Sequence, residues 1–502
     1  MVAPGQKMAH RGFVLALLCM AQFMVVLDFS IVNVALPSMQ KDLAMSTQNL
    51  QWVVSAYSLT FGGFLLLGGR ASDLFGRRRI FLAGLVVFSL ASLFGGLAQS
   101  ESWLIVARAV QGLGASVVAP TSLSLVTSIF AEGPERNKAL GVMGAVASTG
   151  FAVGAILGGL LTAGPGWRWV MFVNVPVGIL ACVLTPFFIP TSPLPERRPK
   201  LDILGALMIT VAIVILVYTL ARGNDLGWLS WHTWGLLALA VVLLLAFIWI
   251  ELRAQDPLVR LNIFRLPVLA GGNLVSLLLP GTFGAIIFIL TLFMQQVLHY
   301  SAIQTGMAFL PMAAVLLILS NIASRMFSHL SLKLLLVASI IVVGCGQLLF
   351  LLISATASYQ GALLPGMLVV GLGMGFVFPA ITIAATTGVR NEEQGLASGL
   401  LNTSQQVGSS VVLAIVTSLA TAQTAALQSQ GVDGASALAD GFHVAIWTCF
   451  ACVVCGLLIA LFVIREQRPA NADQEEEPVM TERPFGESTT ACLEAENNDV
   501  KL

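Results

Sequence analysis

Charged residues are scarce in this sequence: Asp, Glu, Lys and Arg together make up 10% of its 502 residues. Soluble domains carry about a quarter charged residues, so the scarcity excludes a soluble globular protein. Hydrophobic residues make up 57% of the chain, and its mean hydropathy is +0.90. The chain is therefore expected to be an integral membrane protein.

Other absences exclude further classes of protein. No glycine run is followed by a phosphate-binding lysine, so ATP is not expected to drive this protein. Of the seven cysteines, Cys449, Cys452 and Cys455 fall in CFACVVC, inside the last apolar run and without a nearby His or acid. We interpret all seven as apolar fillers or free thiols, and predict no metal, cofactor, disulfide framework or enzymatic activity. The first apolar run is too long for a signal peptide and is expected to be retained.

The net charge is zero because an acidic C-terminal segment offsets a basic body. After Ala470 there are nine acids and two bases, which leaves 23 bases against 16 acids before it. The segment 465–502 is expected to be a disordered, acidic cytoplasmic tail. The basic excess of the body lies in loops, so it bears on membrane topology and does not predict nucleic-acid binding.

Hydropathy predicts fourteen membrane-spanning helices. They fall near 12–37, 50–69, 79–99, 102–128, 139–162, 168–189, 203–221, 232–251, 268–298, 305–327, 333–355, 361–383, 396–421 and 442–464. Every second connection, together with both termini, carries 21 Lys and Arg residues, and the alternate connections carry three. The positive-inside rule therefore predicts that both termini are cytoplasmic.

An internal repeat predicts how the spans are grouped. Arg108–Ser122 resembles Gly366–Ala380, and in each a Gly-x-Gly precedes a proline at the same interval. Two parallel repeats are one plan of membrane transporters, with the substrate path between them. We predict a six-helix bundle over 1–189, linkers and two additional central helices over 190–267, and a second six-helix bundle over 268–464.

Asp28 is the one carboxylate inside the first span. A carboxylate at this depth costs several kcal/mol in order of magnitude and normally faces a partner or a water-filled cavity. Asp28 is therefore a candidate site residue. The alternative is a structural acid, or one that reaches the membrane surface.

Four segments resemble the fourteen-helix drug:proton antiporters (EmrB/QacA subfamily) of the major facilitator superfamily. They are LDFSIVNVALP (27–37), GGRASDLFGRRR (68–79), LIVARAVQGLGAS (104–116) and WRWVMFVNVPVG (167–178). The resemblance extends over about residues 13 to 464. It implies an all-α membrane protein with the major facilitator fold, alternating access and coupling to protons.

Arg108 lies about seven residues into the fourth span, and Asp28 about nine residues from the outer end of the first. At 1.5 Å per residue both lie roughly 10–14 Å below the outer surface, so the two groups can face one cavity. Such a pair would tune the proton affinity of the carboxylate. The alternative is that Arg108 hydrogen-bonds only backbone carbonyls of its own half.

Two further features relate to movement. Asp73, Arg77, Arg78 and Arg79 occupy a short cytoplasmic turn, which either forms a charge latch between the halves or serves as a topology signal. Gly150, Gly154 and Gly158 recur at every fourth position of the fifth span, joined by Gly159, and such stripes permit close helix approach. The family's antiporter motif has proline where this chain has Ala155, which weakens the argument for antiport from this motif.

Polar and deformable residues of other spans are candidates for a large, mostly apolar substrate cavity, with helix packing as the alternative for each. They are Met24, Asn33, Tyr57, Gln295, Gln296, Asn402 and Gln406.

Together these features predict a proton-coupled multidrug exporter of amphipathic, often cationic compounds in a bacterial cell membrane. The proton gradient is its expected energy source, and protons, small substrates and membrane lipids are its expected partners. Alternatives are an exporter of one metabolite or antibiotic, a lipid translocase, and the membrane subunit of an envelope complex with a periplasmic adaptor. A receptor without transport is the remaining reading.

Overall fold

The computed structural model describes residues 4–130, 134–190, 202–254, 257–326, 331–354, 358–389 and 393–464. Over these residues the chain is helical and has no strand, which confirms the predicted fold class. The α-helices are α1 (Pro4–Asp42), α2 (Thr47–Phe75), α3 (Arg77–Gly96), α4 (Glu101–Ile129), α5 (Pro134–Ala163), α6 (Arg168–Phe172), α7 (Asn174–Phe188), α8 (Ile203–Leu226), α9 (Trp231–Arg253), α10 (Pro267–Leu292), α11 (Ala302–Ala308), α12 (Leu310–Met326), α13 (Leu332–Leu349), α14 (Leu364–Thr386), α15 (Gln394–Ser429) and α16 (Gly434–Phe462). The predicted tail, 465–502, lies outside the described residues.

These helices form fourteen passes, because α6 and α7 make one pass and α11 and α12 make another. Thirteen passes are long and apolar enough to cross a bilayer over their described residues. The fourteenth pass is α5, a helix of 30 residues. Its described apolar part is Ala152–Ala163. Short π-helical turns at Phe293–Val297 and Tyr359–Leu363 adjoin α10 and α14.

Serines at the loop boundaries fix where many of the helices begin. The hydroxyl of Ser46 accepts a hydrogen bond from the Asn49 amide at the start of α2, and Ser100 caps α4 in the same way. Equivalent serine caps precede α9, α11 and α13. The first amides of a helix have no partner within it, so such a cap contributes about 1 kcal/mol and sets the first turn.

The sixth pass is broken at Val173, between α6 and α7. Pro176 has no amide hydrogen for the carbonyl four residues earlier, which weakens the helix at this point. The Ser92 hydroxyl of α3 donates to the Met171 carbonyl (3.1 Å) next to the break. Asn174, the first residue of α7, is completely buried in the bundle.

Helix packing separates the chain into neighbouring groups. In the first, α1 packs on α5 and α7, and α4 packs on α2 and α3. In the second group, which follows the two central helices α8 and α9 along the chain, α10 packs on α14, α15 and α16. α8 and α9 pack on each other, and α8 also contacts α2 and α15. The predicted boundaries at 189/190 and 267/268 fall between α7 and α8, and at the start of α10.

The two groups are tied together at the end of the molecule where α1 finishes and α2 starts, here called the Asp42 face; the opposite end is the Arg77 face. Gln295 donates to the Val34 carbonyl (3.0 Å), and Gln296 donates to the Gln40 side chain (2.8 Å). The Thr417 hydroxyl of α15 bonds the buried Gln51 of α2. These ties use neutral groups, each contributing about 1 kcal/mol, so they can break and reform.

The contact between α10 and α15 depends on Gly408. A methyl group at this position would overlap the Leu277 carbonyl, which is main chain and cannot rotate away. We expect Gly408→Ala to destabilise the protein by about 1–3 kcal/mol and to lower Tm by about 1 °C per kcal/mol in a chain of 502 residues. Thermal unfolding of the detergent-solubilised protein measures this effect.

Gly395→Ala is the matched control, because this glycine lies on the same helix and has open space where its methyl group would be. It should keep the parental Tm. Equal stabilities for the two variants would show that α10 and α15 do not pack as closely as described.

Candidate functional site

A buried ion pair lies inside the first group of helices. The Arg108 guanidinium of α4 donates from Nη1 to Oδ2 of Asp28 on α1, at 2.5 Å. The side chain of Asp28 is 0% exposed and that of Arg108 is 1% exposed. The sequence predicted that these residues share a depth, and the structure places them in direct contact.

The second carboxylate oxygen of Asp28 is held by two amides. Its Oδ1 accepts from Nε2 of Gln111 on α4 (2.7 Å) and from Nδ2 of Asn174 on α7 (2.8 Å). Both amide nitrogens also donate to the Ser92 hydroxyl of α3, at 2.9 and 3.1 Å. Asp28 thus accepts hydrogen bonds from three side chains of α4 and α7 and is fully buried within the bundle.

Arg108 has partners other than Asp28. Its Nε donates to the Val53 carbonyl of α2 (2.9 Å), and its Nη1 also donates to Oε1 of Gln111 (2.8 Å). The guanidinium carbon lies 4.4 Å from the centre of the Tyr57 ring, a cation–π contact. The alternative to an ion pair was that Arg108 bonds only backbone carbonyls of its own half. Arg108 makes such a bond, to the Val53 carbonyl, and pairs with Asp28 as well.

Close approach of α2 and α4 makes this geometry possible. A side chain at Gly112 would overlap the Tyr57 carbonyl and the Thr60 hydroxyl. Thr60 in turn donates to the Ala109 carbonyl of α4 (2.7 Å). Because the helix backbones nearly touch, the Arg108 side chain can reach the backbone of α2 while its end group reaches α1.

Sequence reasoning missed three members of this cluster: Ser92, Gln111 and Asn174. Gln111 had a signal, because it lies one turn after Arg108 and so shares its helix face. Asn174 lies in a segment that resembles the family, but nothing in its spacing relates it to Asp28. No group of three or more His, Cys, Asp or Glu that could hold a metal occurs among the described residues.

The glycine stripe of α5 packs against α1. A methyl group at Gly154 would lie 2.7 Å from Cβ of Ser30, and one at Gly158 would lie 2.7 Å from the Ile31 carbonyl. Gly150 faces Phe23 and Val26 of α1. Gly159 lies against the backbone of α11, in the second group of helices, and the carbonyl of Ala155 lies against Gly306 of the same helix.

The predicted loop residues lie at the Arg77 face. Arg77 donates to Oδ1 of the exposed Asp73 at 3.1 and 3.2 Å, and to the Ser124 carbonyl of α4 at 3.4 Å. Arg78 is half-buried and Arg79 is exposed. These contacts of Asp73 and Arg77 stay within the first group of helices, so a latch between the halves stays a prediction.

The residues predicted to line one substrate cavity lie in separate places in this conformation. Met24 and Tyr57 are in the core of the first group, and Asn33 is buried with its amide bonded to the Phe29 carbonyl. Gln295 and Gln296 tie the groups together at the Asp42 face. On α15, Asn402 is exposed, whereas Gln406 packs against Gly62 of α2.

The sequence identified these residues as polar or deformable side chains within the spans, but it did not show whether each faces the other group or its own. This conformation does not bring all seven together around one cavity, so their shared substrate cavity stays a prediction. The Tyr57 ring packs against the guanidinium of the ion pair, Met24 lies in the same core, and the two glutamines tie the groups together at the Asp42 face.

Comparison with known proteins agrees with this architecture. Residues 18–413 match the model of the Major Facilitator Superfamily. The chain is 40% identical over 437 residues to puromycin resistance protein pur8 of Streptomyces alboniger, covering 86% of each chain. It is 36% identical over 397 residues to multidrug resistance protein Stp of Mycobacterium tuberculosis, covering 79% of this chain and 73% of that one.

A solved structure shares the fold at low sequence identity. The crystal structure of PepTSo, a transporter of the POT family, aligns with a TM-score of 0.66 at 15% identity. The alignment covers 92% of this chain and 99% of that one.

Proposed function

Because the chain belongs to the Major Facilitator Superfamily, in which its relatives include antibiotic and multidrug resistance proteins, we propose that this drug efflux transporter exchanges protons for amphipathic, often cationic compounds. The observation that supports proton coupling is the fully buried pair of Asp28 and Arg108 inside a membrane-spanning bundle. A carboxylate buried inside a membrane-spanning bundle is costly, which makes it a candidate functional residue by default.

In the proposed cycle, Asp28 gains and loses the transported proton. When the carboxylate is neutralised, the attraction to Arg108 is lost, but the guanidinium keeps the Val53 carbonyl, the Gln111 side chain and the Tyr57 ring. Opening the pair leaves the guanidinium buried without its counter-ion, and these neutral contacts keep the cost at the lower end of about 3–5 kcal/mol. Proton and substrate then compete for the same state of the first bundle.

Alternating access would arise from rocking of the two bundles, 1–189 and 268–464, against each other. The neutral ties at the Asp42 face hold that end closed in this conformation. The positive-inside rule assigns the Arg77 face to the cytoplasm. The closed end would then face outwards, and substrate would enter from the cytoplasm of a bacterial cell.

The proton gradient is the proposed energy source, without a bound cofactor or nucleotide. The test is dye or drug uptake by proteoliposomes under an imposed pH gradient, with release of protons followed in the same sample. Uptake should need the gradient, disappear with a protonophore and be indifferent to ATP. Uptake that persists when the gradient is collapsed would overturn proton coupling.

A narrower function, export of one antibiotic, is favoured by the relative named for puromycin resistance. A panel of substrates separates the two: efflux of puromycin alone supports the narrow function, and efflux of several unrelated amphipathic cations supports the broad one. Bound membrane lipids and a periplasmic adaptor stay predictions from the sequence, which co-purification tests.

A further inference from the structure

Two amides flank Oδ1 of Asp28, and one of them has a fixed orientation. Arg108 carries donors and no acceptor, so the atom of Gln111 that faces it at 2.8 Å has to be the oxygen, Oε1. The nitrogen of Gln111 then necessarily faces Asp28, at 2.7 Å. As long as Arg108 stays in place, Gln111 can only donate to the carboxyl group.

The second amide, Asn174, has no such constraint. Its Nδ2 contacts Asp28 and the Ser92 hydroxyl, while its Oδ1 is buried and has no hydrogen-bond partner among the described residues. A hydroxyl both donates and accepts, so Ser92 can accept from Nδ2 of Asn174 or, by turning its hydrogen away from the Met171 carbonyl, donate to Oδ1 of the turned amide. A buried polar atom without a partner costs about 1–3 kcal/mol, so its retention calls for an explanation.

Protonation of Asp28 changes what its surroundings need to supply. The charged and titratable groups that face it among the described residues are Arg108 of α4 and, below that guanidinium, Tyr57 of α2. The neutral Asn174 of α7 donates to it, the neutral Ser92 of α3 bonds the two amides beside it, and α5 presents glycines to α1. All the side chains that bond the carboxylate are donors, and a carboxylic acid needs an acceptor for its own hydrogen.

We propose that Asn174 is a positioning residue for the transported proton: its side-chain amide turns over when Asp28 is protonated, so that Oδ1 of Asn174 accepts the hydrogen on Oδ1 of Asp28. The inference rests on the proposed function, since it assumes that Asp28 is protonated during transport. The proton comes from a hydronium ion, which loses it and becomes water, and it forms one O–H bond with Oδ1 of Asp28. The amide rotates by about half a turn around Cβ–Cγ, and no bond between heavy atoms breaks.

Infrared difference spectroscopy between acidic and alkaline pH tests this on the intact protein. The parent is labelled with asparagine that carries 13C in its side-chain carbonyl. Two bands should change together on acidification: a carboxylic acid band that is absent from Asp28→Asn, and an asparagine carbonyl band that moves to lower frequency because its oxygen now accepts a hydrogen bond. The asparagine band should be unchanged by pH in Asp28→Asn and in Asn174→Leu.

Transport supplies the second measurement. Asn174→Leu keeps the size of the side chain and removes both hydrogen-bonding functions. We expect proton-driven uptake to fall about tenfold, the equivalent of one hydrogen bond of 1–1.5 kcal/mol, while exchange of drug for drug without a gradient is retained. Thr185→Val is the matched control: Thr185 is also buried on α7, but among the described residues its hydroxyl bonds only the Ala181 carbonyl of its own helix. This control should keep both bands and the parental uptake.

The outcomes separate the two proposals. An Asp28 band without a change in the asparagine band would overturn the role of Asn174 and leave proton coupling intact. The absence of an Asp28 band at any pH would overturn both. Equal loss of proton-driven uptake and of drug exchange in Asn174→Leu, with the asparagine band still unmoved in the parent, would make Asn174 a structural residue.

Discussion

Asp28→Asn is expected to abolish proton-driven drug accumulation in proteoliposomes, down to the level of vesicles without protein. The amide has nearly the shape of the carboxylate but cannot take up a proton at physiological pH, so no step of the cycle is left that the gradient can drive. Exchange of drug for drug across the membrane should continue, because rocking of the bundles does not itself require protonation. Measuring both activities on one preparation separates lost coupling from lost folding.

The variant should still fold, although its stability decreases. Removing one partner of a buried ion pair costs about 3–5 kcal/mol. The oxygen of the new amide can still accept from Arg108, and the guanidinium keeps the Val53 carbonyl and the Tyr57 ring, so we expect the lower end of that range.

Asp42→Asn is the matched control for Asp28→Asn. Asp42 is an acid on the same helix and is also paired with an arginine, Arg168 at 2.5 Å, but it is about half exposed at the Asp42 face. Exposed pairs contribute about 0–1 kcal/mol, so this variant should keep its accumulation and its stability. Parental accumulation by Asp28→Asn would reject the role of this carboxylate.

The sequence predicted the passes of this fold well, because a span across lipid must be apolar and every backbone group in it must be bonded within the helix. It predicted the helix ends less well. α15 continues to Ser429, eight residues beyond the predicted end near 421, and α16 begins at Gly434 where a start near 442 was predicted. Hydropathy measures the part of a helix that lies in lipid, whereas polar caps such as Asp433 set where it begins.

The candidate site was likewise predictable in part. The contact between Asp28 and Arg108 was predictable, because depth in the membrane follows from counting residues along two helices. The position of Asn174 was not, because it depends on a break in the sixth pass and on how α7 is rotated against α1. Where the predicted cavity residues lie was not predictable for a related reason: Asn402 and Gln406 are both polar residues of α15, yet Asn402 is exposed whereas Gln406 packs against Gly62 of α2.

Arg108→Leu is expected to have the largest effect on folding. Arg108 is among the largest fully buried side chains of the protein, and it connects α4 to both α1 and α2. Its loss leaves the carboxylate of Asp28 buried without a counter-ion, at a cost of about 3–5 kcal/mol, and adds a cavity. We expect little protein of normal size-exclusion behaviour. Arg108→Lys should fold but transport at least about tenfold more slowly, because an ammonium group cannot reproduce the planar fork of the guanidinium.

The double variant Asp28→Asn with Arg108→Leu tests whether charge is the cause. If Arg108→Leu fails because a bare carboxylate remains, neutralising Asp28 as well should restore about 2 kcal/mol, since loss of both partners of a buried pair is milder than loss of one. The double variant should therefore be recovered in larger amounts and at higher Tm than Arg108→Leu, while remaining inactive in proton-driven uptake. A double variant no more stable than Arg108→Leu would show instead that the bonds of Arg108 to α2 and the volume of its side chain hold the first bundle together.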